Sequence, residues 1–512
     1  MGLDTSLLIA TGSLANINRQ LALVSQNVAN ANTPDYARGV SQQTSAAAAG
    51  QGMGVRSGVV TRDIDLSMQA DLFSQNAAVS ATATRQGALA RIDAAQGAPG
   101  GGTDLPSRLG ALGDAFSGLR TDPGSAVQQS RVVSTAGDLA GQIRSMAATY
   151  ASTRQAAQDS LAADVGTLNR TLREIGGLSD RVVRAQAEGT STAEWENQRD
   201  AALTQLSGLV DVRVLRQPSG DLLLLTGAST ILPTRGGDAF SLASATLTPV
   251  GYYAGPGQPD QGAPGIMLNG TDVTAGLAGG SIGAGLTLRD TTLPGYQAGL
   301  DEFAQTLSTR FDQQGLALFT DAAGAVPAPA GPPAQAGYIG YASLIRVNPA
   351  VAADATLVRD GTHDVAGGGA GASGFTTNPP GGPAGFSDLV ARVTGFALGA
   401  QVQPGVAQAP ALDTGLGPSG TLPGIRSATG DLAGLATGLV AAQAGDSARA
   451  NATMDDEATV RLALHTKVTS RSGVKVDTEL SMMVQLQASY ATTAKLVSAV
   501  QTMWNQTLQM VQ

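Results

Sequence analysis

Apolar residues recur with a heptad step at the start of the chain. Leu7, Leu14, Leu21 and Val28 fall seven apart, and Ala10, Ile17, Val24 and Ala31 fill the interleaved positions. This is the a/d seam of a helix that packs lengthwise against another helix. Pro34 predicts where it stops. The far end of the chain carries a matching pattern. Leu480, Met483, Gln487, Tyr490, Ala494, Val497, Gln501, Trp504, Leu508 and Val511 step by three and four. A neighbouring row of Leu486, Thr493, Val500, Met503 and Met510 widens that face beyond a single seam. Lys495 is the only charged side chain from Leu480 to Gln512, which is not the composition of a solvated helix. Ordering each residue costs about 1–2 kcal/mol, and burying a Leu or Val returns about 1.5–3 kcal/mol. One seam therefore leaves both helices marginal in a lone chain. The expectation is that they pair with each other and with neighbouring copies.

Between the ends the helical rhythm continues. Asp122-Pro123 predicts an N-cap followed by Pro at the first helical position. Val132, Ala136, Leu139, Ile143, Met146 and Tyr150 follow, then Leu161, Val165, Leu168, Leu172, Ile175 and Val182. Ser191 and Glu194 predict a capping box for a further helix running to about Val210. The period then changes. Residues 211–226 alternate as a β-hairpin around Pro218-Ser219-Gly220-Asp221, and short strand-like pieces recur to about Leu288. A helix is expected over 296–319, with Leu300, Phe303, Leu307, Phe311 and Leu318 on one face. Residues 320–425 are rich in Gly, Ala and Pro and predict a small β domain with loose loops. Helical pattern returns from Asp431 to about Ser470.

The fold class that follows is mainly α with an inserted β region. The domain division is 1–40 with 472–512 as a coiled-coil assembly domain, and 41–210 with 290–320 and 430–471 as a helical domain. Residues 211–289 form a β-hairpin excursion, and 321–429 a variable outer β/loop domain.

Composition narrows the function. Aromatic residues make up 4% of the 512 and charged residues 14%, against about 25% charged in ordinary soluble domains. Thin Ala/Leu/Val cores and extensive burial in an assembly are the expected consequences. A net charge of −9 without a basic stripe argues against nucleic acid. No stretch of about 18 apolar residues suits a membrane, and the first residues lack the pattern of a cleaved signal peptide. With no cysteine and two histidines, neither a thiolate site nor a zinc site can be assembled. His363 lies in a Gly-rich loop and His465 on a helical stretch, and both are expected to be structural. Gly279–Gly285 lacks the following Lys of a phosphate-binding loop and is expected to be a tight turn. No catalytic residue, cofactor or metal is expected.

Residues 25–38, Ser-Gln-Asn-Val-Ala-Asn-Ala-Asn-Thr-Pro-Asp-Tyr-Ala-Arg, resemble the N-terminal signature of the flagellar rod, hook and hook-associated axial proteins. Asp35 stands where that family usually has Gly. Thr121-Asp122-Pro123, Asn197-Gln198-Arg199-Asp200 and Ile345–Val351 are similar to the hook-associated protein 1 branch. Ser472–Glu479 leading into Gln485–Tyr490 resembles the family's closing segment.

The resemblance implies a structural flagellar subunit outside the cell at the hook–filament junction, reached by type III flagellar export. Implied partners are further copies in a ring, hook protein, hook-associated protein 3, and a cytoplasmic export chaperone on the C-terminal helix. The alternatives are another axial subunit of rod or hook, or a secreted adhesin or effector using the same route. The residues expected at the assembly interface are Leu7, Leu14, Leu21, Asn27, Asn30, Tyr36, Arg38, Leu486, Tyr490, Val497, Trp504 and Leu508.

Overall fold

The structure, a computed structural model, describes residues 3–33, 36–48, 51–98, 100–424 and 430–511. Helix α1 (Leu3–Ala29) is followed by a long hairpin of β1 (Gly39–Ala48) and β2 (Gln51–Arg62), then by helix α2 (Leu66–Gln96). Helices α3 (Leu105–Thr121), α4 (Ala126–Ala187) and α5 (Ala193–Leu209) come next. Strands β3 (Val212–Arg216), β4 (Leu222–Thr226) and β5 (Ile231–Leu232) form one antiparallel sheet in that order. A second contains β6 (Phe240–Leu242), β7 (Ile266–Leu268) and β8 (Thr271–Asp272). Helices α6 (Gly280–Thr287) and α7 (Leu293–Asp312) return to the body. Short pieces follow: β9 (Phe319–Thr320), β10 (Arg346–Val347), α8 (Pro349–Ala353), α9 (Leu357–Asp360), α10 (Asp388–Arg392), β11 (Gln401–Gln403) and β12 (Val406–Ala407). Helices α11 (Leu432–Ser472) and α12 (Val476–Val511) end the chain. The architecture is mainly α with inserted β, as the two periods in the sequence predict.

The body is organised by α4, whose 62 residues carry one apolar stripe from end to end. Its first half (Val132, Leu139, Ile143, Tyr150) packs with Leu112, Phe116 and Leu119 of α3, with Leu300, Phe303, Leu307 and Phe311 of α7, and with Leu435 and Leu439 of α11. Its second half (Leu161, Leu168, Ile175) packs with Leu203 and Leu206 of α5 and with both small sheets. Arg154, at the change-over, donates to the carbonyls of Arg289, Thr248 and Gly251. A long charged side chain thereby ties the loop after β6 to the helix without a carboxylate partner.

Several local expectations need correction. Asp122 closes α3 instead of opening α4; the N-cap is Ser125, whose hydroxyl accepts from Gln128 N at 3.4 Å. The Ser191–Glu194 capping box does not form, because Thr192 occupies the N-cap position and makes no side-chain cap bond. The strand-like reading up to Leu288 fails at α6. There Gly279 and Gly280 make the expected turn at φ 80° and 61°, and the chain then turns helical. A Cβ on Gly280 would lie 2.3 Å from the carbonyl oxygen of Leu209, so glycine is needed for contact as well as for φ. The 296–319 helix runs over Leu293–Asp312, and Leu316 and Leu318 pack as loop residues.

The largest difference concerns the Gly/Ala/Pro-rich segment. It sends Tyr338, Tyr341, Ile345, Val351, Val358, Phe375, Leu389 and Val393 into the same core as α4 and α7. Buried carboxylates of α7 hold it there. Asp301 accepts from Gly340 N at 2.7 Å and Ala342 N at 2.8 Å, while Glu302 accepts from Leu412 N at 2.8 Å and from the Tyr338 hydroxyl. Sequence composition conceals this because widely spaced single aromatics supply the contacts, without any periodic run.

Candidate assembly interface

Helices α1 and α12 lie side by side, antiparallel, with Asn27 of one against Glu479 of the other. On α1 the heptad row behaves as its spacing predicts: Leu7, Leu14, Leu21 and Val28 are half-buried, and Ala10 and Val24 are buried. On α12 the row that meets α1 is Glu479, Met483, Leu486, Thr493, Val497 and Val500. Three of these, Leu486, Thr493 and Val500, come from the neighbouring row of the sequence pattern, and Met483 and Val497 from the main one. Tyr490 (40% exposed) and Trp504 (39%) are correspondingly left outward, with Leu480, Met482, Val484, Leu496, Met503 and Met510 also uncovered. The side chain of Leu508 and residues 34–35 lie outside the described residues.

Lengths explain part of the exposure. At 1.5 Å per residue, α1 with 27 residues spans about 40 Å and α12 with 36 spans about 54 Å. With Asn27 level with Glu479, the first turn of α1 reaches only to about residue 503. The last two turns of α12 therefore extend past its partner.

Below the pair, a chain of buried polar contacts joins it to the body. Asn27, 1% exposed, donates to Gly39 O at 3.0 Å and to Glu479 Oε2 at 3.2 Å. Its Oδ1 accepts from Gly39 N at 3.0 Å and from the Tyr36 hydroxyl at 3.2 Å. Glu479, also 1% exposed, takes Arg38 Nε on its other oxygen at 2.5 Å. Burial, then the charges of Glu194 and Glu479, push the Tyr36 phenol above its ordinary range, so it stays a donor. A side chain at Gly39 would meet Leu23 at 2.9 Å, which is why the strand can approach α1 so closely there. Of the predicted interface residues, Asn27, Tyr36 and Arg38 thus converge. Asn30 does not join them; it closes the end of α1 by bonding Gln26 O at 3.0 Å and accepting from Thr33 Oγ1 at 3.2 Å.

The contacts continue downward. Arg38 N donates to Ser472 O at 2.8 Å, which ties the N-terminal strand to the end of α11. Asn197 of α5 brackets Ala37, accepting from its N–H and donating to its carbonyl, both at 3.3 Å. Arg62, at the root of the hairpin, bonds Asn197 (3.1 Å), Asp200 (2.7 Å) and Glu196 (2.8 Å). Asp200 also accepts from Gln69 at 2.7 Å. Exposed Arg471 reaches Asp63 at 3.0 Å. In the sequence, Asn197–Asp200 and Ser472–Glu479 stand out only by resemblance and without a role, and Arg62 does not stand out at all. Two acidic residues, Asp477 and Glu479, heading an otherwise apolar helix are the visible signal for Glu479.

Among the described residues no group of three His, Cys, Asp or Glu could hold a metal ion, and no helix is long and apolar enough to cross a membrane. His363 Nδ1 lies 3.0 Å from Thr362 Oγ1, and its Nε2 is 3.6 Å from Asp312.

Comparison with known proteins agrees with this geometry. The family model for the flagellar hook-associated protein FlgK helical domain matches residues 89–324, from the end of α2 to β9. The model for the flagellar basal body rod FlgEFG protein C-terminal matches residues 467–510, which is α12 with its approach. No curated protein matches. Among solved structures, the flagellar hook junction protein FlgK from Burkholderia pseudomallei is similar at 21% identity with a TM-score of 0.40. That likeness covers 50% of this chain and 45% of the other, so the chain spans less than half the length of that protein. The helical body thus matches the FlgK helical-domain family, and the C-terminal helix matches the flagellar rod FlgEFG C-terminal family.

Proposed function

We propose that this chain is a structural, non-catalytic subunit of the hook–filament junction, built into the flagellum as a ring of copies. The observation that carries the reading is the terminal pair. Its apolar rows outnumber what α1 can cover, and buried polar contacts fasten it to a body whose core is complete. An apolar surface of this extent belongs in an interface between subunits. Hook protein would adjoin the ring on one side and hook-associated protein 3 on the other, after export outside the cell with a chaperone on α12. The residues offered for assembly are Leu7, Leu14 and Leu21 on α1 and Leu486, Tyr490, Val497, Trp504 and Leu508 on α12. Asn27, Asn30, Tyr36 and Arg38 set their placement. The body separates this reading from a rod subunit, because the FlgK helical-domain match covers α3 to α7.

Electron microscopy of a strain lacking this chain, complemented with a version ending before Leu480, tests the proposal. Bare hooks with filament protein lost to the medium are the expected result. Intact filaments would remove the terminal pair from assembly and with it the reading.

A further inference from the structure

Strand β3 lies at the edge of its sheet, paired with β4 alone. Asp211 O accepts from Gly227 N at 3.0 Å and Gln217 N donates to Asp221 O at 2.9 Å, so both ends of the β3–β4 ladder are bonded pairs. Alternation along an antiparallel ladder then gives the inward bonds to Arg213 and Leu215. The N–H and C=O groups of Val212, Val214 and Arg216 face the open edge, and no partner for them occurs among the described residues. Beside that edge runs a groove of about 560 Å³ between β3 and the first turns of α2. Leu66 (49% exposed) and Leu215 (50%) stand uncovered along it. An open row of backbone groups beside an apolar groove takes an extended strand with a free edge of its own.

The chain itself supplies such a strand. In the hairpin, β2 pairs with β1 alone, and its Val55 (40%) and Val59 (45%) are exposed. The ribbon already rests on α1, with Ser57 bonded to Asn16 and Gly54 beside Ile9, so these exposed valines are what is left for another layer to cover. Between Gly39 and Thr61 the only charged residue is Arg56. The groove offers Asp71, with Arg213 across from it on β3, and neither Arg56 nor Asp71 has an ion-pair partner among the described residues. The groove also adjoins the junction, since Gln69 and Arg216 on its walls bond each other at 2.8 Å beside Asp200. An occupant there would be continuous with the contacts of the terminal pair.

We propose that β2 of one copy adds to the open edge of β3 in a neighbouring copy, a heterologous contact of the kind that closes a ring. The inference rests on the reading that copies assemble. The chain has no cysteine, so the test is disulfide trapping between full-length copies. Chains bearing Val55→Cys or Val59→Cys are mixed with chains bearing Leu215→Cys and oxidised, while light scattering records assembly. Mixed dimers severalfold above a Leu344→Cys control, lost when Val214→Pro deletes one outward N–H in the Leu215→Cys chain, are the expected outcome. Assembly with trapping no better than the control would overturn the strand contact alone. Absence of assembly would overturn both this inference and the reading beneath it.

Discussion

The helical body and the terminal pair are built from the same residue types at the same spacing, yet they end in opposite states. In the body, Leu112, Leu119, Val132, Leu139 and Ile143 have no exposed surface. In the terminal pair, Val484 is 65% exposed and Met510 79%. Heptad-like spacing is therefore not a measure of burial within one chain. In the body, α3, α7 and α11 surround α4, so each row of the stripe finds a partner. In the terminal pair two helices face each other, and the rows left over have nothing in the same chain to cover them. On the proposed reading, the spare apolar rows mark the part of the molecule that another subunit completes.

The widest separation between the regions should come from Leu21→Asp. A carboxylate on the α1 seam should abolish incorporation into flagella, while the melting of the body stays as in the parent chain. Microscopy and calorimetry on the same variant would decide whether the two regions are as independent as proposed.

Asp200→Ala probes the connection between them. The side chains of Arg62 and Asp200 are 2% and 4% exposed, and removing one partner of a buried pair costs about 3–5 kcal/mol. Glu196 remains on Arg62, so the lower end of that range is expected in denaturant melts. Leu139→Ala should cost the body about 2–5 kcal/mol. Val484→Ala should change monomer stability by no more than about 0.5 kcal/mol and yet slow assembly, which reverses the order of importance between the regions. Asn27→Ala leaves Glu479 and the Gly39 backbone short of partners, and about 1–3 kcal/mol of terminal-pair stability should go; loss of α1 protection in hydrogen exchange would register it.

A pH dependence confined to the body would sharpen the contrast further. Burial raises the Asp301 carboxyl to about 7, against the opposing bonds from Gly340 and Ala342. A carboxyl raised on folding stabilises fully below its unfolded range, and the contribution fades as pH climbs through about 7. The loss runs at about 1.4 kcal/mol per pH unit from the unfolded carboxylate range up to about 7, and it stops above that. Melting should fall between pH 5 and pH 7 and level off above, and Asp301→Asn should flatten the slope. A flat profile in the parent chain would show that Asp301 is not poised in this range.

What the sequence disclosed follows the range of its signals. The α4 stripe, the β3–β4 hairpin and the α1 seam are local and periodic, and they were legible. The β1–β2 hairpin was not, because Gly39–Ala48 and Gln51–Arg62 are built from Ser, Gln, Ala and Gly without clear alternation. Residues 321–429 misled for a related reason: their core contacts are single side chains such as Phe375 and Leu389, far apart in sequence. For the interface, the resemblance to the axial-protein signature picked out Asn27, Tyr36 and Arg38. The partner that gives them meaning, Glu479, lies 452 residues from Asn27 and 441 from Arg38, and no spacing rule reaches that far. On α12, periodicity marked an apolar face but could not say which row α1 would take.

Hydrogen exchange on the full-length chain, first as a dilute monomer and then assembled, tests the contrast most directly. Amides of Leu105–Tyr150 should be strongly protected in both states. Those of Leu480–Met503 should exchange rapidly in the monomer and gain protection on assembly. Equal, strong protection of α12 in the dilute monomer would contradict the claim that the terminal pair is completed by its neighbours.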